Sequence, residues 1–270
     1  MSKSLEKDFF KLKLKEFANE LKSHITNTDG EWSMKWFIDE KKTIFWLSSD
    51  TKLLSKIFEI HIFPAIVEFA ITNWYNIEFT EHQNHYPDLT FYKIWSPEIR
   101  FAIDLKTTYK DSPESESCNW FTLWSHGEYF INRLSTKNIR YPYGSYLGHF
   151  ILGIIYVRKW DLDLSEIKRY KESELMQIPS VATDFTFFAC EKWEIASDKW
   201  WSWNTANIGS IKKIADILWC KWTFCELWES WFDEYWMNYW KITIQNTKKP
   251  WETKKIANIK EFQEYRWIIL

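Results

Sequence analysis

Two carboxylates and a lysine carry the chemistry most easily read from this chain: Pro87-Asp88, then Asp104-Leu105-Lys106. Side chains alternate faces along a β-strand, so Asp104 and Lys106 project from one side. A neighbouring strand that brings Asp88 to the same edge would set two hard oxygen donors beside an ammonium. Such a donor set suits Mg2+, which keeps several waters and binds substrate phosphate. Hydrolysis of a phosphodiester needs an activated water and stabilisation of developing negative charge, and a cation on two carboxylates can serve both needs. Lys106 would orient the attacking water or help to deprotonate it. Glu59 is a candidate third carboxylate for the metal. The bare spacing is also compatible with surface salt bridges, so the flanking residues decide its weight.

These residues need a scaffold. Asn76 to Phe79, Leu89 to Lys93 and Arg100 to Lys106 read as strands, the last an apolar run that ends in charge. Ser49-Asp50 caps a helix that begins near Thr51 and carries Glu59, and Pro64 predicts a kink or break in it. Residues 4–24 form an amphipathic helix with Leu5, Phe9, Leu12, Phe17 and Leu21 on a broad face. Residues 34–47 alternate as a hairpin that reverses near Asp39 to Lys42. Asp111 to Asn119 is a surface loop, Leu147 to Val157 a central strand or buried helix, Phe185 to Ala196 a strand pair, and Ile211 to Tyr239 helical. With neither repeat nor linker, residues 1–270 read as one α/β domain with subdomains.

The net charge of −2 argues against a protein that coats nucleic acid without specificity, yet leaves room for a local basic cleft. No run of about 18 uncharged apolar residues appears, and the charged opening segment differs from a signal peptide, so a soluble, cytoplasmic protein is expected. Cys118, Cys190, Cys220 and Cys225 form no CxxC pair, and are expected as reduced thiols rather than disulfides or zinc ligands. His82 and His85 have a metal-like spacing but no second ligand pair, which weighs against zinc.

Glycine and tryptophan are present in unusual proportion: 6 Gly against 20 Trp, where about 7% Gly is ordinary. Trp74 follows Asn73 at the end of a helical run, a position that favours a left-handed residue. Lys199-Trp200-Trp201-Ser202-Trp203-Asn204-Thr205 has the polar flanks of a flexible, glycine-rich loop but indoles at its centre. One reading is that many of these codons are UGA in an organism that reads UGA as glycine. The other is a tryptophan-rich core, which would need a partner for each buried indole N–H.

Ser49-Asp50-Thr51-Lys52, Ile57-Phe58-Glu59, Gln83-Asn84-His85-Tyr86-Pro87-Asp88 and Ala102 to Tyr109 resemble, in order, segments of the EcoRV-like type II restriction endonucleases of the PD-(D/E)xK superfamily. Thr136 to Ile139, Tyr141-Pro142 and Asn204 to Ile211 extend the resemblance, which is strong over residues 34–211 and weak at the ends. It implies an α/β restriction-endonuclease-like core with a central mixed β-sheet flanked by helices. A small dimerisation subdomain near the first helix and the 34–47 hairpin is implied too. Asp88, Asp104 and Lys106 would be the catalytic set and Glu59 the auxiliary carboxylate. Asp88, Asp104 and Glu59 would hold the metal.

By the same resemblance Gln83 and Asn84 would read the minor groove, and Trp201, Ser202, Trp203, Asn204 and Thr205 the major groove. The family has glycine at Trp36, Trp74, Trp124, Trp201 and Trp203, whereas Trp193, Trp236 and Trp267 look native. Asn204 could pair with adenine N6/N7 and Thr205 could touch a thymine methyl, which suits a GATATC-like palindrome. Lys52, Thr108 and Lys137 resemble phosphate contacts and could equally be solvated surface residues. The partners implied are double-stranded DNA, a second copy of the chain in a homodimer, and a cognate DNA methyltransferase; the cofactor is Mg2+, and no membrane is involved. A structure-specific repair nuclease or resolvase, and a non-catalytic DNA-binding protein, are the alternatives.

Overall fold

Two long capped helices set one layer of the molecule. In the computed structural model, which describes residues 2–80, 82, 85–159, 169–202, 207–246 and 251–269, α1 spans Lys3–Ile25 and opens at Ser2, whose hydroxyl accepts from the Leu5 amide. After the short hairpin of β1 (Trp36–Ile38) and β2 (Ile44–Trp46), α2 spans Thr51–Thr72. Its cap is Asp50, whose side chain accepts from the amides of Lys52 and Leu53, satisfying two donors that a helix start leaves unpaired. The sheet strands follow: β3 (Tyr75–Phe79), β4 (Leu89–Lys93), β5 (Ser96–Lys110), then β6 (Thr122–Ser125) and the short α3 (Glu128–Ile131). Beyond them lie β7 (Gly148–Arg158), β8 (Arg169–Tyr170), β9 (Ala182–Glu191), β10 (Ala196–Ser202) and β11 (Asn207–Ser210). The chain closes with α4 (Ile214–Trp219), α5 (Thr223–Leu227), α6 (Glu229–Asn238), β12 (Thr243–Gln245), β13 (Thr253–Lys255) and α7 (Ile259–Ile269).

The central sheet has the order β3-β4-β5-β7-β9; its β5–β7 pairing is parallel and the rest antiparallel, so the sheet is mixed. Alternation along β5 and β7 serves two cores. Phe101, Ile103, Leu105, Phe150 and Leu152 pack with α1 and α2, while Ala102, Ile151 and Ile155 pack with the β6–β11 layer and the C-terminal helices. Beside the main sheet, β1, β2 and β8 form a small antiparallel sheet, the counterpart of the separate hairpin element expected from residues 34–47.

Some local expectations are corrected. The buried stripe of α1 is Phe10, Leu14, Phe17, Ala18, Leu21 and Ile25, whereas Leu5, Phe9 and Leu12 lie on an exposed second stripe. Both stripes have helical spacing, so periodicity alone could not choose between them. α2 runs through Pro64 without a break. Proline in a helix costs about 3 kcal/mol, but Phe58, Ile62, Ile66 and Phe69 are buried around it, and each such side chain contributes roughly 1.5–3 kcal/mol. The expected strand pair over 185–196 is instead the end of β9, a 3-10 turn at Lys192–Ile195 and the start of β10. Cys220 and Cys225, expected as thiols, are joined in a disulfide: a left-handed residue at the end of α4 brings their Cα atoms to 5.7 Å, within bridging range. Cys118 and Cys190 are free and buried. Among the described residues no helix is long and apolar enough to cross a membrane.

Candidate active site

The antiparallel pairing of β4 with β5 sets Leu89 opposite Ile103, so the residue before β4 reaches the edge where β5 presents Asp104. That residue is Asp88. Its approach is held on both sides: the Tyr86 amide donates to the Asn138 carbonyl at 3.0 Å, the Arg140 amide donates to the Tyr86 carbonyl at 2.8 Å, and the Tyr86–Pro87 peptide is cis. Below it, the Tyr86 hydroxyl lies 2.8 Å from His149 Nδ1 on β7. The Asp88 carboxylate then accepts the Leu105 amide through Oδ2 at 2.8 Å. Asp104 Oδ1 faces the Asp88 amide at 3.4 Å.

Lys106, two residues along β5, returns to the same face as the period of two requires. Its Nζ lies 3.3 Å from Asp104 Oδ2 and 3.6 Å from Asp88 Oδ2. The structure therefore brings Asp88, Asp104 and Lys106 to one corner. A fourth group is there too. Lys192, in the turn after β9, donates from Nζ to Asp104 Oδ2 at 2.7 Å and is fully buried beneath the rings of Tyr86 and Trp124. Sequence reasoning missed Lys192, because its contact with Asp104 spans 88 residues and no local period announces it.

Electrostatics separate the two carboxylates. Burial and the adjacent Asp104 push the Asp88 pKa up. Burial alone would raise Asp104 as well, but Lys106 and Lys192 outweigh it and hold that carboxyl below the usual range. For Lys106, burial is outweighed by Asp104 and Asp88, and its pKa is raised. For Lys192, burial dominates over the pull of Asp104, and its pKa falls to about 8. Two carboxylates and two ammonium groups thus meet in a corner whose inner pair, Asp104 and Lys192, is buried.

A groove of about 870 Å3 opens from this corner, and its walls include Lys52, Lys56, Glu59, Asp88 and Thr108. Asp88, whose side chain is 39% exposed, is the carboxylate that meets the groove; Asp104, at 5%, is not. Two hard oxygen donors, one of them open to a groove wide enough for water and phosphate, fit a cation of the Mg2+ kind. Glu59 stands on the rim, engaged by Lys56, on the helix that covers the opposite face of β5 from Asp104. Among the described residues no three His, Cys, Asp or Glu side chains form a single metal-holding cluster. The predicted set of Asp88, Asp104 and Glu59 is therefore not preassembled, because a strand separates Glu59 from Asp104.

Lys52 and Thr108 share the groove, although Thr108 is buried. Lys137 is exposed on the loop beside Tyr86 and does not line it. Gln83, Asn84, Trp203, Asn204 and Thr205 lie outside the described residues. Trp201 and Ser202 belong to the end of β10, where Ser202 pairs with Asn207 of β11. The rings of His82 and His85 meet edge to face, with 4.6 Å between centroids.

Comparison with known proteins agrees with this architecture. The family described as Restriction endonuclease EcoRV matches residues 28–267, so the likeness extends past the 34–211 stretch where its motifs are dense. The Type II restriction enzyme EcoRV of Escherichia coli is 38% identical over 224 residues, covering 81% of this chain and 89% of that protein. A match this long and this similar, on a mixed sheet that gathers the paired carboxylates and lysine at one edge, establishes that the chain belongs to the EcoRV family of type II restriction endonucleases.

Proposed function

We propose that the protein is a Mg2+-dependent deoxyribonuclease that cuts both strands of DNA within a GATATC-like palindrome and leaves blunt ends. The observation that carries this reading is the meeting of Asp88, Asp104 and Lys106 at one corner, from which Asp88 opens on a groove also lined by Lys52 and Glu59. Asp88 and Asp104 would hold Mg2+, and when bound the ion supplies Lewis-acid charge at the scissile phosphate and favours ionisation of a nucleophilic water. Lys106 presents its ammonium beside both carboxylates, where it orients the attacking water or takes part in moving its proton. Glu59 tunes the rim of the site. Lys52 would meet the DNA backbone from the first turn of α2.

Palindromic DNA is matched by a two-fold protein, so the active form is a homodimer. The exposed stripe of Leu5, Phe9 and Leu12, and Phe37 and Ile38 of the hairpin, are apolar surface that a second copy could cover. Residues 1–270 act as one domain, in the cytoplasm where the DNA lies, with a methyltransferase protecting the host's own sites. Reading of bases is assigned to Gln83, Asn84 and the 201–205 loop.

Digestion of a plasmid of known sequence tests the proposal. Discrete Mg2+-dependent fragments ending at the centre of GATATC are expected, and Asp104→Ala should remove them. Cutting only of branched DNA would favour a structure-specific nuclease, and undiminished cutting by the mutant would overturn the site assignment.

A further inference from the structure

We propose that Lys192 is a positioning residue that serves as the resident counter-cation of the metal corner and makes divalent-ion binding depend on DNA. The inference rests on the nuclease reading above and deepens it. Asp88 and Asp104 contribute two negative charges, and Lys106 and Lys192 two positive ones, so the corner is electrically balanced before any ion arrives. The two lysines differ in freedom. Lys106 is 27% exposed, whereas Lys192 has no exposed surface and its ammonium lies 4.3 Å from the centre of the Tyr86 ring.

A dication that takes Asp104 must therefore share it with a fixed ammonium. Charges this close in a poorly solvated pocket repel strongly. The anionic phosphate of bound DNA restores the balance, so ion and DNA favour each other's binding. Without Lys192 the two carboxylates would hold a dication unaided, and DNA would add less.

Mn2+ titration followed by electron paramagnetic resonance, with no DNA present, reads this directly. Lys192→Met should bind Mn2+ about tenfold more tightly than the unaltered protein. A purely structural lysine predicts the opposite, since a displaced Asp104 would bind the ion less well. Equal or weaker binding by a folded Lys192→Met overturns the proposal. Should that variant fail to fold, the unaltered protein still decides: a GATATC duplex with a charged, hydrolysis-resistant methylene phosphonate at the central step must tighten Mn2+ binding, and an uncharged methylphosphonate must not. Equal tightening by both duplexes also overturns it. Asp88→Ala is the control for the underlying reading. If it binds Mn2+ as the unaltered protein does, the metal corner itself is misassigned, whatever Lys192 does.

A second inference stands on the backbone. Among the described residues, seven non-glycine residues have left-handed backbones, and three of them are Trp74, Trp228 and Trp240, with φ of 63°, 73° and 62°. Bulky side chains are outliers there, and Trp228, with ψ of 167°, sits in a region that only glycine enters freely. Trp74 and Trp228 are 61% and 71% exposed, so burial of their indoles offsets little of that cost. The geometry points to glycine at these positions in the protein as its source makes it, with UGA read as glycine. Peptide mass spectrometry of the protein from its own source should find glycine at 74, 228 and 240, and tryptophan there would sink the inference. Independently, Trp228→Gly should raise the melting temperature by roughly 2–4 °C, and a lowered one would count against it.

Discussion

Two clusters of mixed charge hang from one turn, and they do different work. Within Glu191-Lys192-Trp193-Glu194 the glutamates face α1 and the lysine faces β5. Lys11 reaches Glu191 at 3.2 Å and Glu194 at 2.6 Å, Lys7 pairs with Glu191 and Glu229, and the Trp193 indole donates to Glu191 at 3.0 Å. Burial opposes the charge on Lys7 and Lys11, but the glutamates outweigh it and raise both pKa values. The two glutamates of the turn are closed in, at 5% and 8% exposed, while Glu229 at the outer end of the cluster is 41% exposed. In the catalytic corner the same pairing leaves Asp88 open to a groove. Ion pairs that close on themselves fasten an element, whereas a balanced set with one open carboxylate can exchange a charge with a ligand.

The contrast can be broken most severely at the corner. Asp88→Ala should reduce DNA cleavage on the order of 10^3-fold or more while the denaturation midpoint stays near that of the parent, because the side chain removed is partly exposed. A large stability loss would mean that the corner is structural. Glu191→Ala should do the reverse. It takes one of two carboxylates from Lys7 and from Lys11 and the acceptor from the buried Trp193 indole, and costs about 1–3 kcal/mol in urea unfolding, with Mn2+ affinity unchanged in the folded fraction; altered Mn2+ affinity would show the clusters to be coupled.

Acid sharpens the comparison from beneath the corner. His149 is buried, and burial, with Lys192 and Arg133 adding, holds its pKa well below 6.5. Its depressed pKa means that the unfolded chain takes up the proton first as pH falls. The stability it permits is therefore complete above pH 6.5 and lost below it, by up to about 1.4 kcal/mol per pH unit. His149→Phe should flatten this part of the stability curve, and an unchanged slope would assign the acid response elsewhere. The smallest effect is expected at the groove wall: Lys52→Ala should weaken DNA binding similarly on all sequences and lower the salt dependence by about one ion. A change confined to one sequence would make Lys52 a base reader.

Much of this was legible locally. The strands around Asp88, Asp104 and Lys106 follow from alternation, the start of α2 from the Asp50 cap, and the left-handed turn at Trp74 from its place after a helix end. Glu59 was legible as a candidate but not its side of the sheet, which depends on how α2 packs.

Periodicity and capping act over a few residues, and they alone were enough to put Asp104 and Lys106 on one face and to open both long helices. Packing chose the rest. It selected Phe10 over Phe9 as the buried face of α1, carried α2 through Pro64, drew Cys220 to Cys225 and brought Lys192 under Asp104. Each of those outcomes turns on burial between segments distant in the chain or on the path of a turn, where the free energy belongs to the assembled layers and no single stretch of residues encodes it.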